Sequence, residues 1–482
     1  MTNYEKNIAV IRDQWTGLAE RLNNLQENLL DLRVESSVHG EPTLIVGTKY
    51  VHSRYNPIQE AQKTASIIGK ETAGIVVVLG FGLGYIAESV VHDGRKVVIV
   101  EKREEILKKA LETRDLTALL MEKDIIFVIG GAEENILGAL QIFDFDSFGE
   151  GKVRKIKNRT LVDLDSEYYQ EVERRIDTWV SKGAINESTL KRFGARWEKN
   201  LVRNERYIHE LPGIEQLRGV LNGEIPVFLV AAGPSLDDLT THLSEIAERC
   251  LVVSVDTALR FLLRHGIDPD FTLSADPQYW NVRHLDVLQH SNTCLVTSVD
   301  VYPCTFHLPC RNIFLYSSSH PSAHAYEEKS ILKGRLGSGG SVAAPAFDFA
   351  CWIGAASVWI GGLDLGFPGL RTHFKGALFE EKANATADRF YPVESKAFHA
   401  LRNGAPFYGP AADGHRILTD KRLSLYAAWF ESRLHNVHIP VYSLSADGLA
   451  IDGLKTTDIA VLLRLPVRRD DVKRLLSGFI SH

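Results

Sequence analysis

The stretch Pro226–Asp237, PVFLVAAGPSLD, decides the fold. It opens with an apolar run of strand length, and such a run without alternation suits a strand buried on both faces, as in a parallel sheet. Gly233-Pro234-Ser235 then turns the chain into a stripe of Leu236, Leu239, Leu243 and Ile246, with Asp237, Asp238 and Glu245 outside it. That spacing predicts a helix over 235–248 lying on the sheet. The pattern continues with strand 251–255, helix 257–265, strand 271–275, a small-residue helix over 341–353, strand 357–360 and a helix over 420–435. Alternation of this kind builds a parallel α/β sheet, whose ligands bind where the carboxyl ends of the strands converge.

Those ends are polar. Ser254, Asp256 and Thr257 follow the second strand, Ser274 and Asp276 the third, and Asp364 a later one. Gly233, Pro234 and Ser235 open a helix whose unpartnered first amides favour an anion such as phosphate, with a plain helix cap as the alternative. Ser338, Gly339, Gly340 and Ser341 precede another helix and offer a second turn of this type. His373, in the loop GFPGLRTHFKG, is the candidate base, because an unperturbed imidazole accepts a proton at neutral pH. Asp276 is the second catalytic candidate; the bland alternative for His373 is a surface histidine, one of 17 in the chain.

Upstream, Ile75–Leu79 (IVVVL) runs into Gly80, Gly82 and Gly84, followed by a short helical stretch and a second run, Val97–Val100, ending at Glu101. This strand, glycine turn, helix, strand unit resembles the cofactor half of S-adenosylmethionine-dependent methyltransferases, with Glu101 placed to hold ribose hydroxyls. Two departures, Val78 where an acid is usual and Ile125–Ile129 ending at Gly130 and Gly131 without one, predict the Rossmann-like fold without an occupied methyl-donor site. Further upstream, Ile8, Ile11, Trp15, Leu18, Leu22, Leu25, Leu29 and Leu32 predict a heptad seam that packs on its own domain or on another chain.

Composition narrows the classes. The 482 residues carry 55 Lys+Arg against 61 Asp+Glu, a formal charge of −6, with 45% hydrophobic and 24% charged residues, which is an ordinary globular chain of two or three domains. No bulk positive charge attracts nucleic acid or anionic lipid, and Lys152, Arg154, Lys155, Lys157 and Arg159 read as a solvated face. Cys250, Cys294, Cys304, Cys310 and Cys351 show neither CxxC nor paired histidines, so neither a disulfide scaffold nor a zinc site is expected. The expected setting is cytoplasmic, without nucleic acid, membrane or bound metal, and with a homo-oligomer possible.

Seven segments carry a further resemblance: HSRYNPIQEA (52–61), GARWEKNLVRN (194–204), AAGPSLD (231–237), VDTALR (255–260), PDFTLSADP (269–277), SGGSVA (338–343) and GGLDLG (361–366). Together they resemble the motility-associated factor (Maf) flagellin glycosyltransferases, over most of the chain. The resemblance implies an α/β protein with two Rossmann-like parallel-sheet domains in tandem and a C-terminal mainly helical region. Its parts are an N-terminal domain at 1–210, a sialyltransferase-like catalytic domain at 211–395 and the helical region at 396–482. It further implies transfer of a nonulosonic acid, of the pseudaminic or legionaminic type, from a CMP-sugar to Ser/Thr of flagellin, with no other cofactor. On that basis the nucleotide and its phosphate fall to Gly233, Pro234, Ser235, Asp256, Thr257 and Asp276. The second turn, Ser338–Ser341, then takes the donor's carboxylate or phosphate beside Asp364. One position departs from the family pattern: Ala231 stands where it has glycine. The Gly-Pro-Ser turn and following acids are also similar to archaeal 6-hydroxymethylpterin pyrophosphokinases, which implies an alternative reaction with ATP and Mg²⁺. A non-catalytic flagellin-binding protein is the third reading.

Overall fold

The computed structural model describes residues 1–25, 30–66, 68, 74–91, 95–132, 135–142, 153–318, 320, 322, 323, 326 and 332–479. The chain forms two compact units, Met1–Thr189 and Leu190–His482. The helix Ser166–Glu210 is continuous through that boundary, so the first division falls earlier than the expected residue 210.

In the first unit, strands β1 (Leu32–Ser36), β2 (Pro42–Val46) and β3 (Lys49–Tyr50) form an antiparallel sheet. Strands β4 (Ile75–Leu79), β5 (Lys96–Glu101), β6 (Ile125–Ile129) and β7 (Val153–Lys157) form a parallel one in the order β6-β5-β4-β7. Every residue of β4 is buried, as its unbroken apolar run predicts. The glycine turn after it is closed from within. Phe81 N donates to Glu101 Oε2 at 2.9 Å and Leu83 N to His52 Nε2 at 2.8 Å. A Cβ on Gly82 would lie 2.5 Å from that imidazole nitrogen. Glu101 therefore does not face a ribose; it is buried and fastens the turn, a correction to the sequence expectation. Burial pushes its carboxyl up to about 7, and burial pushes His52 down to about 3.

The N-terminal stripe is not one helix. Helices Asn3–Gln14 and Thr16–Asn24 meet at Trp15, whose backbone leaves the helical region at φ −139° and ψ 67°. Ile8, Ile11, Leu18 and Leu22 enter the first unit's own core, which settles the choice between its own domain and another chain. Leu29 lies outside the described residues, as does Lys152. The rest of the basic stretch is partly neutralised, Lys155 pairing with Asp177 and Glu173, and Lys157 with Glu173.

The second unit is built on eight parallel strands. They are β8 (Val227–Val230), β9 (Leu251–Val255), β10 (Phe271–Ser274), β11 (Cys294–Ser298), β12 (Asn312–Tyr316), β13 (Val358–Gly361), β16 (Val441–Ser443) and β17 (Lys455–Thr456), the hairpin β14 (Pro406–Pro410) and β15 (Arg416–Asp420) standing apart. The order is β12-β11-β10-β9-β8-β13-β16-β17. Strand order thus reverses between β8 and β13, the position where open α/β sheets bind ligands. Residues 396–482 are mainly helical, as expected, but belong to the second unit. They add β16 and β17 to this sheet, and Trp429, Phe430, Val441, Leu462 and Val472 share one core with β8, β9 and β13.

One local expectation changes near the switch point. The predicted helix 235–248 is a 3-10 helix over Pro234–His242 followed by an α-helix over Leu243–Ala247. Leu236 and Leu239, three residues apart, fall on one line of a helix with three residues per turn, and both are buried.

Candidate functional site

The crevice begins at the switch point. β8 ends in Gly233-Pro234-Ser235 and β13 in Gly361-Gly362, with Asp364 beyond. Ser235 N donates to Asp364 Oδ2 at 2.9 Å, and Gly233 N to Gly362 O at 2.7 Å. A Cβ on Gly233 would come within 2.3 Å of Asp364 Oδ2, so glycine is required by this close approach. The amide expected to meet a phosphate already holds a carboxylate. Ser235 Oγ and Asp364 Oδ1 are the buried atoms left without a hydrogen-bond partner there. Burial raises the Asp364 carboxyl, the hydroxyl and amide of Ser235 beside it oppose that shift, and the charges of Asp447 and Asp238 add to it.

On the other side of β8, three neighbouring strands each end in an aspartate. Asp256 accepts from Thr257 N at 2.7 Å, Thr257 Oγ1 at 3.1 Å and Ser274 Oγ at 2.9 Å. Asp276 accepts from Gln278 N at 2.8 Å. Asp300, after β11, accepts from Ser298 Oγ at 2.6 Å and also from Ser318 Oγ. Burial holds all three carboxyls above their ordinary range, and the charge of Asp256 raises Asp276 as well. Carboxylates so placed accept from hydroxyls or hold a cation; they repel a bare phosphate.

The long helix positions two of these ends. Asn200 Nδ2 donates to Pro277 O and Asp300 O at 3.1 and 3.0 Å, and Asn204 Nδ2 to Val299 O and Val301 O at 2.9 and 2.8 Å. Two asparagines one turn apart thereby tie down the loops after β10 and β11, which gives the GARWEKNLVRN segment a structural task.

Asp300 is missing from the sequence prediction although a signal is present. Ser254-Val255-Asp256, Ser274-Ala275-Asp276 and Ser298-Val299-Asp300 are the same Ser-x-Asp motif at three strand ends. His284 and Tyr316 are missing for another reason, since only folding brings them here. His284 is buried, and its pKa is lowered by burial while the charge of Asp256 opposes that shift. Tyr316 ends β12, and burial raises its hydroxyl, helped by Asp300 and Asp256.

His373 lies across Phe379 from His284. The Phe379 ring is 5.0 Å from His373 and 5.3 Å from His284, centroid to centroid. The expectation of an unperturbed imidazole is corrected: burial pushes His373 down to about 4, with His284 and Arg422 adding to the shift. It is neutral at pH 7, and a weaker base than a free imidazole.

The second glycine turn serves packing first. The carboxyl end of helix Ala343–Trp352 bonds through Ile353 O and Gly354 O to Leu221 N and Gly223 N, ahead of β8, so its start points to the carboxyl edge of the sheet. A Cβ on Gly339 would meet Trp429 at 2.8 Å, and one on Gly340 would meet Tyr426 at 2.5 Å. Ser341 Oγ accepts from Ala343 N at 3.3 Å, and Ser338 is exposed. Among the predicted residues, contacts therefore join Gly233, Ser235 and Asp364, and separately Asp256 with Thr257; Ser338–Ser341 form a rim element with its own partners.

With this geometry in place, comparison with known proteins adds three findings. The whole chain superposes on the structure of the Maf glycosyltransferase from Magnetospirillum magneticum AMB-1 with a TM-score of 0.63 at 16% identity, covering 98% of this chain and 77% of that one. The chain has the Maf fold. Residues 199–369 match the family model described as 6-hydroxymethylpterin diphosphokinase MptE-like, a segment containing Asn200, the Gly-Pro-Ser turn, the three Ser-x-Asp ends and Asp364. Two uncharacterized proteins of Treponema pallidum (strain Nichols) are 36% identical over 230 residues and 25% identical over 256. These alignments cover 58% of the first relative and 86% of the second, so the chain spans less than two thirds of the first. Across the Maf fold and the matched segment alike, the shared part contains the crevice at the strand ends. No described helix is long and apolar enough to cross a membrane.

Proposed function

We propose that the protein is a glycosyltransferase working in the crevice of its second unit, moving a nonulosonic acid from a CMP-sugar to a Ser or Thr hydroxyl of flagellin. The observation that carries this reading is the row of aspartates at three adjacent strand ends, Asp256 and Asp300 buried and Asp276 half-buried, beside the switch point of a Maf fold. Carboxylates suit the hydroxyls of a ribose and a polyhydroxylated sugar, and Asp256 and Asp276 take that task. In the transfer, the bond from anomeric carbon to phosphate breaks, the acceptor oxygen bonds to that carbon, and the acceptor proton passes to a base. A neutral His373 takes the proton, and CMP leaves with the electron pair. No cofactor enters this reaction beyond the donor itself. Ser235 Oγ, buried beside the Asp364 carboxylate, is the donor group available to the leaving phosphate at the Gly-Pro-Ser turn.

The test is calorimetric titration with CMP and with ATP, each with and without Mg²⁺, on the protein and on Asp256→Asn. Saturable CMP binding that weakens about tenfold or more in the variant, corresponding to a lost charge-assisted hydrogen bond, supports transfer. Mg²⁺-dependent ATP binding in place of CMP moves the assignment to a pyrophosphokinase. Binding of flagellin with neither nucleotide moves it to a non-catalytic partner.

A further inference from the structure

We infer that Arg371 is the residue that receives the donor's phosphate: its guanidinium is held by Asp237 at the Gly-Pro-Ser turn and passes from that carboxylate to the incoming anion. The need for such a group follows from the backbone. Gly233 N donates to Gly362 O at 2.7 Å, Ser235 N to Asp364 Oδ2 at 2.9 Å and Leu236 N to Gly233 O at 3.2 Å, and Pro234 has no N–H. The amides of residues 233–236 are thus all engaged within the protein, so the helix start cannot cradle a phosphate with them. The surrounding charge sharpens the need. Asp364 is 2% exposed, and Asp447 and Asp238 act on it. An anion entering that field is stabilised where a cation accompanies it.

Arg371 is that cation by placement. It lies in the segment between β13 and the helix Leu378–Ala385, the segment that also carries His373. Backbone bonds lay this segment across the turn: Phe374 N donates to Ala232 O at 3.2 Å, and Lys375 N to Asp237 Oδ1 at 3.1 Å. Arg371 Nη1 then donates to Asp237 Oδ2, while Nη2 stands 3.5 Å from Pro234 O. One nitrogen is on the carboxylate and the other reaches the turn itself. The Arg371 side chain is 32% exposed against 17% for Asp237, so a ligand can reach the guanidinium from solvent.

A planar guanidinium bonds carboxylate and phosphate in the same two-pronged manner, so the exchange replaces one anionic partner by another. Charge grows on the phosphate as its bond to the sugar breaks, and Arg371 then holds the departing CMP more strongly than the intact donor. Taking CMP as the anion rests on the transfer reading.

The experiment is calorimetric titration of the full-length protein with CMP and with cytidine, on the parent, Arg371→Gln, Arg371→Lys, Asp237→Asn and Asp256→Asn, with thermal melts to verify folding. Gln keeps an amide donor for Asp237 while removing the charge, and Asn keeps an oxygen for Lys375 N. Arg371→Gln should lower CMP affinity about tenfold or more and leave cytidine affinity unchanged, with part of the loss restored in Arg371→Lys. Asp237→Asn should raise CMP affinity severalfold, because the guanidinium no longer has to leave a carboxylate. A pair that serves folding alone would move both variants in one direction, so weakened CMP binding in a folded Asp237→Asn overturns the inference. So does an Arg371→Gln variant that binds CMP as the parent does, or that loses CMP and cytidine alike. CMP binding that depends on Asp256 and not on Arg371 overturns this inference and leaves the transfer reading standing. ATP binding in place of CMP, weakened in Arg371→Gln, upholds the phosphate role and removes the transfer reading; a parent that binds no nucleotide removes both.

Discussion

Single side chains here titrate against their ordinary values, and the signs can be worked out. His52, held at about 3, gains a proton in the unfolded chain near 6.5, so its contribution weakens stability by about 2 kcal/mol as pH falls from 6.5 to 5. Glu101, held at about 7 against 4.5 unfolded, acts oppositely: its stabilisation is present at low pH and is lost as pH rises through 7. The two nearly cancel between pH 4.5 and 6.5. Urea titrations of the protein should therefore show little change in first-unit stability over that range, whereas Glu101→Gln should lose stability on acidification. A variant as flat as the parent would show that His52 is not held neutral. In the crevice, His373→Ala should lower turnover about 10²-fold with CMP affinity kept. The acid limb of kcat/KM due to His373 should lie near pH 4 rather than 6.5; an inflection at 6.5 that vanishes in the variant would contradict the lowered value. Such shifts are invisible in sequence, because they come from burial. The same holds for His284, which no local pattern marks, whereas Asp300 was legible from its Ser-x-Asp repeat.

Elements were legible in proportion to their burial. β4 and β6 carry unbroken apolar runs and β9 one interrupted only by Ser254, and their structural bounds equal those predicted, 75–79, 125–129 and 251–255. Spacings of three and four do not separate a 3-10 from an α-helix over nine residues, which hid the geometry after Gly233. Nor did they reveal the break at Trp15. β16 has only three residues, too few for a periodicity, so the share of the mainly helical C-terminal part in the sheet was not legible. The element that bears most on the site is the Gly-Pro-Ser turn. Gly233→Ala pushes a methyl against Asp364 Oδ2 and Gly362 O, at 2.3 and 2.6 Å, and the second contact is backbone, which yields little. A loss of about 1–3 kcal/mol is expected, as for other overpacked positions, together with weakened CMP binding. A melting temperature and CMP affinity equal to the parent's would mean that the turn moves freely from Asp364.

Across the whole molecule, the division at 189/190 makes a prediction about fragments. Residues 190–482 hold the complete eight-stranded sheet and its core, so this fragment should unfold cooperatively and bind CMP as the full chain does. Residues 190–395 lack β16, Trp429, Phe430 and Leu462 from that core, and should give no cooperative melt. A stable, CMP-binding 190–395 would restore the three-part division expected from sequence. The order of the sheet also has a temporal side. β8 sits between β9 and β13, yet β13 leaves the ribosome roughly 130 residues after β8. At 5–20 residues per second, one flank of the innermost strand stays open for on the order of ten seconds during synthesis. Through that interval a bare row of amides and carbonyls is offered to any passing strand, which makes the nascent chain a customer for chaperones and its yield sensitive to translation speed.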